Sequence, residues 1–419
     1  MTTTANNTSG KFKWELIILL WLVFFFNQAD RQVFNIVLPL IKADLRLSDS
    51  QLGLIASVFI AAVGVFVPIA GYAGDVFRKK KVIIFSLFLW SAATFFTGIS
   101  TGLLTLVILR SMVGSSESFY APAANALIGD TYREERGFAM SIHQTALYAG
   151  IIMSGVLGAI IGEHYGWRAT FYLFGGIGIL LAILLIVRFR HFSEHTDIPL
   201  SPLSWLAGIR GLFAKPTAIL LTLAFGCMVF VNVGYLTWTP TFLHEKFNQS
   251  LSAAGFSSMF YHHVFAFAGV LAGGKISDHL AKKDPSARLK IQFWGLLLGA
   301  PFIYMLGTAG NLLLVFLSLG CFGFFRGIYD SNIYASLYAV IDPRIRASVS
   351  ATMIMFAFII GAFAPYLLGS LKPTLGLSKG IAFLSVAYIL GAIFIGLALK
   401  FTLAKDQVRE LTSLPENYN

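Results

Sequence analysis

Long apolar runs recur along the whole chain, separated by short polar loops. A helix needs about 20 predominantly apolar residues to cross the hydrocarbon of a bilayer. On that rule twelve spans are predicted, at 14–41, 51–77, 81–100, 102–130, 137–163, 167–189, 216–244, 251–279, 289–308, 310–341, 346–371 and 378–403. The expected fold is an all-α membrane protein. The longest polar connection, Arg188 to Lys215, separates six spans from six. It contains a short amphipathic piece, Leu203 to Phe213, expected to lie on the membrane surface. The predicted organisation is an N-terminal segment 1–13, a six-helix bundle 14–189, a linker 190–215, a second six-helix bundle 216–403 and a tail 404–419.

Composition supports a membrane setting. Hydrophobic residues make up 57% of the 419 and charged residues only 12%, against roughly 25% charged in soluble domains. The net charge of +11 raises nucleic acid as a partner, but the placement of the charges rejects it. Lys and Arg crowd one set of loops, including Arg78 to Lys81, Arg133, Arg136, Lys282, Lys283, Arg344 and Arg346. The alternate loops hold only Lys42, Arg46, Arg168, Lys246, Lys372 and Lys379. This bias puts both termini in the cytoplasm. The first span is too long for a cleaved signal and lacks a small-residue cleavage site, so it is expected to be retained. The expected location is the plasma membrane, the inner membrane of a bacterium.

The halves repeat each other. Gly71, Asp75, Lys79 and Lys80 follow the second span, and Gly274, Asp278, Lys282 and Lys283 follow the eighth at one constant offset. Arg110 and Arg326 stand at related places in the fourth and tenth spans, and Gly129-Asp130-Thr-Tyr-Arg133 resembles Ile341-Asp342-Pro-Arg344. Repeated halves with a site at their interface are a plan of secondary transporters.

Six charged side chains fall well inside the spans: Asp30, Arg31, Arg110, Glu117, Arg326 and Asp330. Each costs about 2.5–3.5 kcal/mol at the bilayer centre on insertion scales, which marks a functional pathway or a paired interior. Arg110 and Glu117 share one helix face about 10.5 Å apart along the axis. Arg326 and Asp330 are four apart and can touch. Moving an Arg or a bound anion to or from a buried carboxylate changes its hold on a proton. Asp30 and Glu117 are therefore the expected proton-coupling acids. Arg31 and Arg110 offer fork donors for a substrate carboxylate. The alternative is that these ions only lock the first and fourth spans together. Further polar positions expected to bind substrate are Asn27, Gln144, Tyr148, Asn232, Tyr235, Arg326, Asp330 and Asn332. Asp75, disfavoured at a helix C-terminus, is expected to pair with Arg133, with Arg136 or with a helix N-terminus across the bundle interface. With Gly71, Lys79 and Lys80 these form a predicted gate. No P-loop follows a strand, and no metal box or nucleophile elbow is in place, so enzyme readings fail.

These residues resemble the major facilitator superfamily over nearly all of 14–403. The loop Gly71…Asp75…Lys79-Lys80 is similar to that superfamily's gating motif, with Val76 where a Lys or Arg is usual and Arg78 where a Gly is usual. Asn27, Asp30-Arg31, Leu38-Pro39, Arg110, Gly114, Glu117 and Gly166-Trp167-Arg168 resemble the anion:cation symporters, a group including sugar-acid carriers. Trp238-Thr-Pro240-Thr and Ala254-Gly255-Phe256 do the same. Gly71-Tyr-Ala-Gly-Asp75, Val113-Gly114…Glu117-Ser and Ala121-Pro122 equally resemble the spinster-like lipid transporters. The resemblance implies twelve transmembrane helices in two bundles that rock in alternating access. It also implies a proton-coupled symporter of a small organic anion, with a spinster-like exporter of a lysolipid as the alternative. The expected partners are the lipid bilayer and a small-molecule substrate, with no nucleic acid and no metal. The proton serves as coupling ion in place of any cofactor, and the chain is expected to be a monomer.

Overall fold

The structure is a computed structural model that describes residues 10–132, 135–191 and 205–407. Among these, the elements are helical throughout. The first half contains α1 (Gly10–Ile36), α2 (Leu38–Leu45), α3 (Asp49–Val76), α4 (Lys79–Thr97), α5 (Leu103–Glu117), α6 (Tyr120–Thr131), α7 (Arg136–Tyr165) and α8 (Trp167–Arg188). A linker helix α9 (Trp205–Phe213) follows. The second half contains α10 (Pro216–Phe247), α11 (Leu251–Ala281), α12 (Ala287–Thr308), α13 (Leu312–Asp330), α14 (Ile333–Tyr338) and α15 (Arg346–Leu397). Nine stretches among the described residues are long and apolar enough to cross a membrane. The α5–α6 pair, α11 and the bend inside α15 supply three more, consistent with the twelve expected.

Three expected spans are not continuous helices. The first breaks at Val37, two residues before Pro39. The fourth breaks between Glu117 and Tyr120. A continuous helix would need a Pro122 N–H to bond the Ser118 carbonyl, and proline has none. The tenth breaks between Asp330 and Ile333. There Ser331 Oγ bonds the Ile328 carbonyl at 2.8 Å and Asn332 Nδ2 bonds Ser331 Oγ at 2.9 Å, side-chain bonds that compete with the helix ladder. The two interior breaks follow Glu117 and Asp330 directly, at corresponding places in the two halves.

The turns of the repeat also correspond. Gly166 joins α7 to α8 with φ 82° and ψ 159°, and Gly376 bends α15 with φ 73° and ψ 160°. This conformation belongs almost solely to glycine. Trp167 and Arg168 follow the first of these turns and close on α2. Arg168 pairs with Asp44, and Trp167 Nε1 donates to Asp44 at 3.0 Å. The bonds from Arg168 and then Trp167 hold the Asp44 carboxyl below the usual range. Because this pKa is lowered on folding, the clamp is intact above about pH 3.9 and is lost as pH falls below that.

Two seams join the halves: α3 against α15, and α7 against α11. They are tight at the face opposite the basic loops. A Cβ on Gly155 would lie 2.6 Å from the Gly255 carbonyl oxygen, and the Gly53 backbone abuts Pro365 and Tyr366. Ser57 Oγ accepts from the Tyr366 N–H at 3.1 Å. Nearer the basic face a Cβ on Gly71 of α3 or Gly274 of α11 would meet nothing. The linker helix α9 does more than rest on a membrane surface. Leu212 is buried, and Gly208 and Gly211 pack on α15 at Ser348, Ile345 and Val349, while Leu206 and Phe213 stay exposed. Its expected first residues, 203 and 204, lie outside the described set.

Gly166→Ala and Gly376→Ala are each expected to lower stability by about 1–3 kcal/mol. Gly71→Ala, in open space, should be nearly neutral. Unfolding midpoints of the purified variants check this, and equal midpoints for all three would contradict it.

Candidate functional site

A cavity of about 550 Å³ lies between the halves. Its wall takes residues from α1, α3, α5, α7, α10, α11, α13, α14 and α15. It is sealed from the face opposite the basic loops by the two seams and by an ionic cluster. Asp49, at the start of α3, receives both Lys42 (2.7 Å) and Lys372 (3.1 Å), and Lys372 also meets Glu245 at 2.7 Å. Glu163 of α7 accepts from the Leu251 N–H and the Ser252 hydroxyl at the start of α11. A carboxylate at a helix N-terminus meets free N–H donors and a favourable dipole.

The first-half wall is a polar stripe on an otherwise apolar helix. Gln28, Arg31, Gln32 and Asn35 of α1 all line the cavity, at the spacing that puts residues on one helix face. Arg31 Nε donates to Glu117 Oε2 at 2.6 Å, and the Glu117 side chain is wholly buried. The α5–α6 break sets Glu117 there, as the last residue of α5. Its second oxygen, Oε1, has no partner among the described residues.

Arg110 is bound differently. It is 1% exposed, and its guanidinium carbon stands 4.3 Å from the Phe59 ring centre and 4.9 Å from that of Phe34. Such stacking is worth about 2 kcal/mol when desolvated. Among the described residues no carboxylate pairs with it, and Nε and Nη1 are unbonded. Asp30 is 1% exposed behind the wall, facing Trp90 and Thr94 of α4 with Glu117 and Arg110 beyond. Both its carboxylate oxygens lack a hydrogen-bond partner among the described residues, as do Trp90 Nε1 and Thr94 Oγ1.

The second-half wall carries a separate pair. Arg326 Nε lies 3.2 Å from Asp330 Oδ2, and Arg326 Nη1 bonds His262 Nε2 at 3.0 Å. Arg326 is a donor only, so this nitrogen of His262 accepts. His263, the next residue, lines the cavity and meets the Tyr148 ring of α7 across the seam.

Residues 20–365 fit the profile of the Major Facilitator Superfamily. The chain belongs to that superfamily. It is a multi-pass membrane transporter, and its relatives fall in the two groups whose motifs it resembles. It is 27% identical over 395 residues to human protein spinster homolog 1, spanning 88% of this chain and 75% of that one. It is 26% identical over 406 residues to the hexuronate transporter of Bacillus subtilis (strain 168), spanning 93% and 94%. A crystal structure of a bacterial homolog of the human lysosomal transporter spinster, inward-facing and unoccupied, superposes with a TM-score of 0.81 at 22% identity. That match covers 96% of this chain and 99% of the other, and shows the major facilitator fold.

Within this major facilitator cavity stand Arg31, Arg110, Gln144, Tyr148, Asn232, Arg326 and Asp330. Three expected lining residues lie behind the wall instead. Asn27 is buried and accepts from Gln28. Tyr235 packs on His262 and Phe322 and donates to the Ser258 carbonyl. Asn332 is buried on its own turn. The sequence reading missed Gln28, Gln32 and Asn35, although their spacing along α1 was a usable signal. It also missed the Lys42–Asp49–Lys372–Glu245 cluster, because loop charges give no sign of which loops meet.

Of the superfamily's gating residues, Lys79 pairs with Asp130 at 3.0 Å, within the first half. Lys80 is buried with Nζ 3.5 Å from the Phe189 carbonyl. Arg136 folds over Gly129. The expected link from Asp75 falls on a side chain, and for Arg133 on a whole residue, outside the described set.

Removing one partner of a buried ion pair strands the other charge, at about 3–5 kcal/mol. Arg31 opens partly to the cavity, so Arg31→Met is expected near the lower end, about 3 kcal/mol. Adding Glu117→Gln should restore most of it. Unfolding midpoints of the single and double variants check the coupling. A double variant no better than the single would contradict it.

Proposed function

We propose that this chain is a proton-coupled symporter that imports a small organic anion such as a sugar acid. The observation that carries the reading is Arg110: a cation in the cavity wall, held by two rings and without a carboxylate partner among the described residues, with Arg31 nearby. An anionic ligand would supply the missing charge, and guanidinium groups pair with carboxylates through strong charge-assisted hydrogen bonds. The likeness to a hexuronate transporter supports this substrate class. The basic face is assigned to the cytoplasm by the positive-inside rule, and the membrane is the plasma membrane, the inner membrane if the source is bacterial.

In this mechanism the substrate carboxylate meets Arg110 and competes with Glu117 for Arg31. Glu117, released, and Asp30, buried behind it, are the two acids that carry the coupling proton. Alternating access requires the α3–α15 and α7–α11 seams to part on the outer face. Asp49 must then give up Lys372 while keeping Lys42, which belongs to its own half. A second reading is favoured by one observation, the likeness to spinster proteins over 88% of the chain. In that reading the cavity carries an amphiphile, its phosphate on Arg110 and its chain against Phe59, Ile60, Met228 and Phe358.

Uptake of radiolabelled glucuronate into proteoliposomes under an imposed pH gradient tests the proposal. The expected result is accumulation that collapses with the gradient. In Asp30→Asn or Glu117→Gln, accumulation should be lost while counterflow exchange remains. Full gradient-driven accumulation in both variants would sink the coupling assignment, and transport of lysolipid without glucuronate would favour the second reading.

A further inference from the structure

A second cleft, of about 580 Å³, lies on the outside of the first half at the basic face. It is bounded by the last turns of α3, the first turns of α4 and the α5–α6 break. We propose that this cleft binds an anionic phospholipid, with its phosphate on Arg78 and Lys81 and an acyl chain in the slot.

Its walls are apolar, with Phe66, Phe77, Phe85 and Phe119 among them. The serines on the floor do not offer free hydroxyls. Ser115 and Ser116 both bond the Met112 carbonyl, at 3.1 and 2.5 Å, and Ser86 bonds that of Ile83 at 3.0 Å. The slot is therefore greasy to its base, and Phe77 and Phe85 are more than half exposed beside it. Water would solvate such a slot poorly, whereas hydrocarbon fills it without cost.

The mouth is cationic, and among the described residues nothing answers the charge of Arg78 and Lys81. Four basic residues stand in a row, Arg78 to Lys81. Lys79 turns to Asp130 and Lys80 turns inward to the Phe189 carbonyl. Arg78 and Lys81 are exposed, line the cleft and have no ion-pair partner among the described residues. A headgroup phosphate is the anion available at that depth, where basic residues at the membrane surface attract anionic lipid. The two positions at which the loop departs from the common gating motif, Val76 and Arg78, both line this cleft. One adds apolar surface and the other adds the cation. The floor residues Ser116 and Phe119 flank Glu117, so a bound chain rests against the reverse side of the break that positions it. The proposal stands apart from the central cavity and does not depend on its substrate.

The test uses the delipidated full chain in detergent, titrated with phosphatidylglycerol or phosphatidylcholine and read by native mass spectrometry. The expected result is one retained phosphatidylglycerol, bound about tenfold more tightly than phosphatidylcholine. Arg78→Ala/Lys81→Ala should abolish that preference, and Lys282→Ala/Lys283→Ala should leave it intact. Three results would overturn the proposal: no preference in the parent chain, an unchanged preference in the first pair, or equal loss in both pairs. Displacement of the lipid by inorganic phosphate at equal concentration would overturn it too, since the acyl chain would then contribute nothing.

Discussion

A guanidinium in the hydrocarbon layer must be answered by an anion, a ring face or water. Arg110 is answered by two rings, Phe34 and Phe59, and by the cavity on whose wall it stands. Much of the first half is arranged around that compromise. Glu117, the last residue of α5, meets Arg31 rather than Arg110, so one cation of the pair is neutralised and the other has no carboxylate partner among the described residues. Had Glu117 met Arg110 instead, the cavity would hold a closed ion pair with little reason to take up an anion.

The same constraint acts in the second half with a different outcome. Arg326 and Asp330 lie one helical turn apart before the second break, and Arg326 also holds His262. Its charge is answered within its own helix. The repeat thus places an arginine in the corresponding span of each half, but only the first-half copy is left for a ligand. The seams on the far side complete the design. Glycine backbones at Gly155 and Gly255 allow close contact there, and the Asp49 cluster spans both halves. Contact that is both close and ionic can be broken as a unit, which suits two bundles that rock.

Much of this was legible in the residues, and the exceptions have physical causes. The all-helical membrane fold followed from apolar runs, because hydrocarbon tolerates few other patterns. The six intramembrane charges identified themselves by their cost. Which of them would pair was not legible. Arg110 and Glu117 share a face of α5, yet Glu117 bonds Arg31 of α1, and nothing in the spacing ranks that partner above Arg110. Tyr235 and Asn332 read as cavity residues because a polar side chain in a span has the same signature whether it faces a cavity or bonds a group within the bundle, here the Ser258 carbonyl and the Ser331 hydroxyl. The Asp49 cluster was invisible for another reason: its members come from three separated loops, and only the tertiary fold brings Lys372 to Asp49.

The central claim is that Arg110 awaits an anion in the cavity. Calorimetric titration of the purified chain with glucuronate, repeated on Arg110→Met, addresses it most directly. The account predicts saturable binding to the parent chain, weakened roughly 10- to 100-fold in the variant, as expected for loss of a charged hydrogen-bonding partner. Glucuronate binding equally tight in both proteins, or a lysophospholipid that binds both alike while glucuronate binds neither, would contradict it.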